Sequence, residues 1–311
     1  MELKKYPLKL SSVCKEIIWG GTKLKSDFGK VCDLEKVAES WELTVRYDGM
    51  NVIENGECAG MPLADYLGDS SKGFPLLIKL IDACDKLSIQ VHPSDETAEA
   101  GEQGKAEMWY IVDCEPQAFL YYGFSHKIDA DELLRRAQDG TICDVLNKVP
   151  VAKGDVFYIL PGTIHAIGAG IVIAEIQQNS NTTFRVYDYQ RRGTDGKLRP
   201  LHLERAAAVM DYEPVIPEEC KANSVMVFPE FTMAEMFSCQ YFRAWRIDVY
   251  TSARLACDGH SFQHLQCVDG QGVIRCNGAE YPFVRGESFL MPAALGEYSI
   301  EGECRVLLSR V

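Results

Sequence analysis

Apolar and polar residues alternate through most of this chain in short runs cut by Gly, Pro and Asp, the period-two pattern of half-buried strands. SIQVHPSDE, residues 88–96, is one such run. Leu87, Ile89 and Val91 fall on one face, and Ser88, Gln90 and His92 on the other. Pro93 has no N–H to donate to a ladder, so the strand is predicted to stop there, with Ser94 and Asp95 supplying turn or cap chemistry. KGDVFYILPGTIHAIGAGIVIAEIQ, from Lys153, reads as further strands joined by tight turns. In it, Pro161-Gly162 predicts a type II turn with Gly162 at positive φ, and His165 opens the next strand. Helical spacing is confined to three segments: 94–102, 129–148, where Asp129 or Asp131 offers a cap, and the Ala-rich 201–211. The sum is a mainly β chain with barrel or sandwich grammar and a few helices.

The apolar pattern is interrupted at 212–221 (YEPVIPEECK), by two prolines and three glutamates, and resumes as a second all-β stretch. This predicts two domains, 1–215 with the helical segments and a smaller 216–311. A weak internal echo links them. GDVFYILPGTIHA, from Gly154, resembles GESFLMPAALGEY, from Gly286, but the second copy has no counterpart of His165. If the module is duplicated, polar chemistry stays in the first copy.

Composition narrows the function. At 311 residues, 47% hydrophobic and 10% aromatic, the chain is an ordinary globular one. A formal charge of −13 argues against a nucleic-acid partner held by a broad basic surface and against anionic membranes. The start, MELKKYPLKLSS, carries no apolar run resembling a signal peptide, and no window approaches the ~18 apolar residues of a membrane span, which points to the cytoplasm. Twelve scattered cysteines without a CxxC pair are expected to be buried free thiols.

Three segments supply partners for Gln90 and His92. Glu107 of GKAEMWYIV stands beside large apolar residues and needs a cation there; His165 follows the predicted turn; Arg185 alternates with Phe184, which would put it on one face with Tyr187 and Tyr189. Taken singly, a histidine reads as a hydrogen-bonded core or turn residue and Arg185 as half of a surface salt bridge. Taken together, two imidazoles, a carboxylate and an amide oxygen suit a divalent transition ion such as Zn2+, with Fe(II), cobalt and manganese sharing the preference. His126, His202, His260 and His264 lack such surroundings.

With these residues in place, the chain resembles the type I mannose-6-phosphate isomerases (phosphomannose isomerases) of the short bacterial form, within the cupin superfamily. The resemblance runs from IIWGG around Trp19 and ESWEL around Trp41 through FPLLIKLIDA, LSIQVHPSDE, GKAEMWY and PGTIHAIG to the Arg185 segment. It implies a cupin-type β-barrel (jelly roll) followed by a cupin-like β domain without metal ligands. It also implies one Zn2+ per chain on Gln90, His92, Glu107 and His165, Arg185 as the catalytic arginine, and Lys79, Ser88, Lys105 and Glu175 around the substrate. Lys79 has some weight of its own, as a cation in an otherwise apolar run. Where relatives often read GKTEMWY this chain has Ala106, and where many read SDxTYR it has Asn181 and Phe184. The long helical insertion of eukaryotic relatives between Glu107 and His165 is missing.

The activity so implied is interconversion of mannose 6-phosphate and fructose 6-phosphate through an enediol, a reaction that demands stabilisation of oxyanion charge. Glu175, near apolar walls, is expected to have its pKa raised toward working pH as a candidate base, with a metal-bound water or Lys105 as alternatives. Neither GxGxxG after a strand nor GxxxxGK[ST] is present, so no nucleotide cofactor is expected. Two competing readings remain at this point: an iron-dependent cupin oxygenase, built on two His and one carboxylate, and a non-catalytic sugar-binding cupin.

Overall fold

The computed structural model describes residues 4–193, 196–217 and 224–311. The first half is built on two antiparallel sheets, with a small two-stranded pair, Val45–Arg46 and Gly49–Met50, beside them. One has six strands, in the order Val156–Ile159, Glu107–Cys114, Ile171–Gln178, Leu76–Ala83, Glu39–Leu43, Val13–Lys15. The other has five: Leu146–Pro150, Phe119–Phe124, His165–Ile167, Ile89–Val91, Phe184–Tyr187. The central strands Leu76–Ala83 and Ile171–Gln178 are buried along their whole length. This is the jelly-roll cupin arrangement expected from the alternating runs.

Register then decides which side chains become neighbours, because directly opposed residues of an antiparallel pair share a face. On the five-stranded sheet, Gln90 is opposite His165 on one side and Arg185 on the other. On the six-stranded sheet, Trp41, Lys79, Glu175 and Trp109 form one continuous cross-strand row. The first row supplies metal-ligand candidates and a guanidinium; the second supplies a cation, a carboxylate and two indoles.

The outer face of the five-stranded sheet is covered by helices Ala130–Asp139 and Leu203–Val209, whose Leu133, Ala137 and Ala206 pack with Ile89, Val91, Phe184 and Val186. The predicted helix at 129–148 is thus only half helical. Asp129 caps it, accepting from the Glu132 N–H at 2.8 Å, and left-handed Gly140 (φ 74°) ends it. After a short 3-10 turn, Leu146–Pro150 is a strand. The helix expected at 94–102 is absent. Thr97 and Ala98 bond back to the Ser94 carbonyl in one turn that does not propagate, and Gly101 sits at φ 89°. The segment at 201–211 is helical as expected, over Leu203–Val209.

The second half is dominated by a nine-stranded antiparallel sheet around the long strands Gln263–Cys276 and Gly296–Arg310. Leu8–Leu10 from the other end of the chain completes its edge, pairing with Ser288–Met291. The internal echo is visible in the backbone. Asp155 and Glu287 bond back to Ala152 and Val284 around positive-φ Gly154 and Gly286; Thr163 and Leu295 do the same around Gly162 and Ala294. The eleven described cysteines are all free thiols, but only Cys58, Cys257, Cys267, Cys276 and Cys304 are buried, and Cys84 is exposed. No helix among the described residues is long and apolar enough to cross a membrane.

Candidate active site

His92 follows the strand Ile89–Val91, Glu107 begins its own strand, and His165 opens another after the Leu160–Thr163 turn, with Gly162 at φ 86°. Ligand atoms of His92, Glu107 and His165 lie within 4.8 Å of one another, and all three residues are buried. His92 Nδ1 donates to the Thr182 carbonyl at 2.8 Å and His165 Nδ1 to the Thr163 carbonyl at 2.9 Å. Each ring therefore keeps its proton on Nδ1 and turns its Nε2 lone pair inward. Burial pushes His165 down to about 4 and holds His92 well below the usual imidazole range, so both stay neutral.

Glu107 is opposed in the same place. Burial, then the charge of Glu175, pushes its carboxyl up to about 7 against the pull of Lys105, whose Nζ is 2.6 Å away. Oε1 is taken up by that ion pair, whereas Oε2 has no hydrogen-bond partner among the described residues. The Gln90 amide completes the group, its Nε2 lying 3.5 Å from His92 Nε2 and 3.3 Å from His165 Nε2. A half-turn of the carboxamide presents Oε1 in the same position. Two neutral imidazoles, a buried carboxylate with unspent lone pairs and an amide oxygen fit a divalent metal ion.

Next to this group is a cavity of about 290 Å³ whose lining includes Lys79, Ser88, Gln90, Lys105, Glu175 and Arg185. The structure thus brings together the nine residues expected to act as ligands, catalytic arginine or substrate contacts: Gln90, His92, Glu107, His165, Arg185, Lys79, Ser88, Lys105 and Glu175. A larger hollow, about 1130 Å³, lies against the nine-stranded sheet and is lined by none of them. Lys79 and Lys105 are both buried; Lys79 pairs with Glu175 at 3.2 Å and Glu39 at 3.5 Å. Ser88 Oγ donates to Gln90 Oε1 at 3.4 Å. Arg185 makes no ion pair among the described residues. Its Nη1 donates to the Pro200 carbonyl at 2.9 Å, and its backbone N–H to His202 Nδ1 at 3.0 Å.

Two expectations need correction. Glu175 is not raised: burial pushes it up, but Lys79, Lys105 and the Trp109 Nε1–H at 2.9 Å outweigh burial and hold its carboxyl below the usual range. Tyr187 and Tyr189 do not share the cavity face with Arg185. A register shift between Arg185 and Tyr187 breaks the alternation, and both phenols pack on the core behind the sheet. Trp109, Trp19, Glu39 and Arg199 also line the cavity and were not named as site residues from the sequence. Trp19 and Glu39 carried a signal, lying in the WGG and ESWEL runs; Arg199 carried none. Of the departures, Phe184 is in the apolar cluster behind the sheet, and Asn181 lines the cavity while donating to Asp48 Oδ2 at 3.2 Å.

Fold and site together define a cupin with a metal-ligand cluster opening onto a cation-lined cavity. Comparison with known proteins specifies the class further. The catalytic-domain model of type I phosphomannose isomerase matches residues 8–119, and the mannose-6-phosphate isomerase cupin-domain model matches 232–311. The chain is 37% identical over 316 residues to the mannose-6-phosphate isomerase ManA of Bacillus subtilis, covering 98% of this chain and 99% of that one. It is 32% identical to the mannose-6-phosphate isomerase of Streptococcus mutans, over 97% and 98% of the two chains. The crystal structure of the Bacillus subtilis mannose 6-phosphate isomerase superposes with a TM-score of 0.91 at 31% identity, covering 99% of this chain and 100% of that one. The chain belongs to the type I mannose-6-phosphate isomerase family and is an aldose–ketose isomerase.

Proposed function

We propose that this enzyme interconverts mannose 6-phosphate and fructose 6-phosphate by proton transfer through an enediol, using one Zn2+ per chain held by Gln90, His92, Glu107 and His165. The observation that carries the metal reading is the buried His92–Glu107–His165 cluster, its ligand atoms within 4.8 Å of one another beside a cation-lined cavity. When bound, such an ion polarises the substrate oxygens at C1 and C2 and lowers the cost of their negative charge.

The chain's own residues supply the rest. Trp109 stands edge-on to His165, ring centroids 5.3 Å apart, and with Trp19, Ile81 and Ile167 makes an apolar wall that strengthens charge interactions in the cavity. Arg185, a permanent cation, stabilises charge on the enediolate. Lys79 and Lys105 add positive charge, and with the carboxamide half-turned Ser88 Oγ would accept from Gln90 Nε2 and so hold Oε1 toward the histidines. Glu175 is held ionised by Lys79 and by the Trp109 Nε1–H and lines the cavity, so we assign it the proton that moves between C2 and C1.

The test is a coupled assay for fructose 6-phosphate made from mannose 6-phosphate, run before and after chelation, with metal analysis of the protein as isolated. The reading expects turnover that chelation removes and Zn2+ restores, at close to one ion per chain. Turnover indifferent to complete metal removal would overturn the metal assignment. The isomerase family supports a sugar-phosphate substrate, and the charge of −13 supports the reading that no nucleic acid is held by a broad basic surface.

A further inference from the structure

Arg185 and Arg199 line one end of the cavity, and a single carboxylate, that of Asp188, gathers Arg199 and its neighbour Arg191. Asp188, 4% exposed, accepts from Arg199 Nε at 2.7 Å and Nη2 at 2.6 Å, and from Arg191 Nη2 at 2.6 Å. Arg191 Nη1 in turn reaches Asp85 Oδ2 at 3.2 Å, tying the segment to the turn before the Gln90 strand. Tyr189 and Gln190 both stand at φ 55°, a left-handed conformation that side chains of this size adopt only when their surroundings hold them there. The backbone is bent out of its preferred region where Asp188 gathers its two arginines.

What this fixes is the guanidinium of Arg199. It lines the cavity, and with Nε and Nη2 committed to Asp188, its Nη1 has no partner among the described residues. Arg185 is near enough to feel its charge, donates to the carbonyl of Pro200, and its buried Nε lacks a partner among the described residues. Two guanidiniums are thus held close together at one end of the cavity with donors to spare. Asp188 offsets part of the repulsion among Arg185, Arg191 and Arg199, but one carboxylate cannot neutralise three guanidiniums, and planar forks suit a tetrahedral oxyanion better than a single ammonium does.

We propose that Arg199 binds the phosphate of the sugar-phosphate substrate, and that Asp188 is a positioning residue which aims it. This rests on the isomerase reading above, and places the phosphate at the Arg199 end with the reacting carbons toward Gln90. A residue that grips only the phosphate stabilises bound substrate and transition state alike, so its loss raises KM far more than it lowers kcat.

The experiment compares wild type with Arg199→Ala, Arg199→Lys and Asp188→Asn in two measurements: steady-state kinetics with mannose 6-phosphate, and competition by inorganic phosphate. Arg199→Ala is expected to raise KM and the phosphate inhibition constant together by roughly ten- to a hundredfold, with kcat changed less than about threefold. Arg199→Lys should recover part of the loss, and Asp188→Asn should raise KM by roughly three- to tenfold through a less firmly held Arg199. Wild-type KM and phosphate inhibition in Arg199→Ala overturn the proposal, as does equal loss of kcat in Arg199→Ala and Arg199→Lys with phosphate inhibition unchanged. If the wild type does not turn over mannose 6-phosphate, the isomerase reading fails instead. Calorimetric titration with inorganic phosphate then still decides whether Arg199 holds the anion, by its weakening or persistence in Arg199→Ala.

Discussion

His92 and His165 each commit Nδ1 to a backbone carbonyl, which orients both rings before any ion arrives. Replacing either by Ala should therefore remove metal and turnover together. His165→Ala is expected to hold less than a tenth of the wild-type metal content by elemental analysis, with activity falling in proportion. Arg185→Ala, by contrast, touches none of the metal-ligand candidates. It should keep its metal and lose roughly 10²–10³ in kcat, the range found when a donor to a developing oxyanion is removed. Metal retained in His165→Ala, or metal lost in Arg185→Ala, would contradict these roles. Gln90 and His92 were legible in the sequence because alternation puts them on the polar face of an otherwise apolar strand. Glu107 was legible because a carboxylate among large apolar residues needs a partner. The basicity of Glu175 was not, since it depends on Lys79 lying opposite in the ladder, and register across strands is set by the assembled sheet.

Among the elements, the turn Leu160–Thr163 does most to connect the site. Gly162 donates its N–H to the His92 carbonyl at 2.9 Å and accepts from the Asp211 N–H at 2.9 Å, so one residue links the segments of two histidines. It stands at φ 86°, and a Cβ there would meet the Val209 carbonyl oxygen at 3.2 Å. Gly162→Ala should then cost about 1–2 kcal/mol of stability, read as a lowered urea midpoint, and also weaken metal retention. Gly60 has the same φ of 86° and nothing within 4 Å of its would-be Cβ. Gly60→Ala should show a comparable backbone cost with metal binding untouched. If the two variants retain metal equally, the turn does not position His165. This turn was readable from Pro161-Gly162 alone, because its conformation is local. The helix expected at 94–102 and the Arg185–Tyr187–Tyr189 face failed for the opposite reason. Gly101 interrupts the first, and a bulge imposed by pairing with the Gln90 strand redirects the second.

At the scale of the molecule, we propose that two cupin-like modules meet near residues 215 and 216 and fold as one unit. Leu8, Leu43, Leu76 and Met108 share a single buried cluster with Phe242, Val268, Leu290 and Leu307, and Leu8–Leu10 is an edge strand of the far sheet. Calorimetry should accordingly show one transition, and residues 1–215 alone should fail to give a cooperative one, because truncation exposes that shared cluster. The two halves also meet through polar groups. Lys30 and Glu42 form a buried pair at 2.6 Å, Ser288 Oγ donates to the Glu42 carbonyl at 3.2 Å, and His264 is buried beside them. Burial, reinforced by the Lys30 charge and opposed by the Glu42 backbone, holds His264 at about 3. In the unfolded chain an imidazole titrates near 6.5, so there it binds a proton that the folded site refuses. The stability linked to neutral His264 is therefore complete above pH 6.5 and is lost as pH falls from 6.5 toward 3. Over that window it contributes a slope approaching about 1.4 kcal/mol per pH unit. Urea midpoints of wild type and His264→Gln measured at pH 7, 6, 5 and 4 should converge or cross on acidification, because the variant lacks this proton uptake on unfolding. Curves that stay parallel would mean His264 takes up no extra proton on unfolding, and that its ring is not sealed between the two modules.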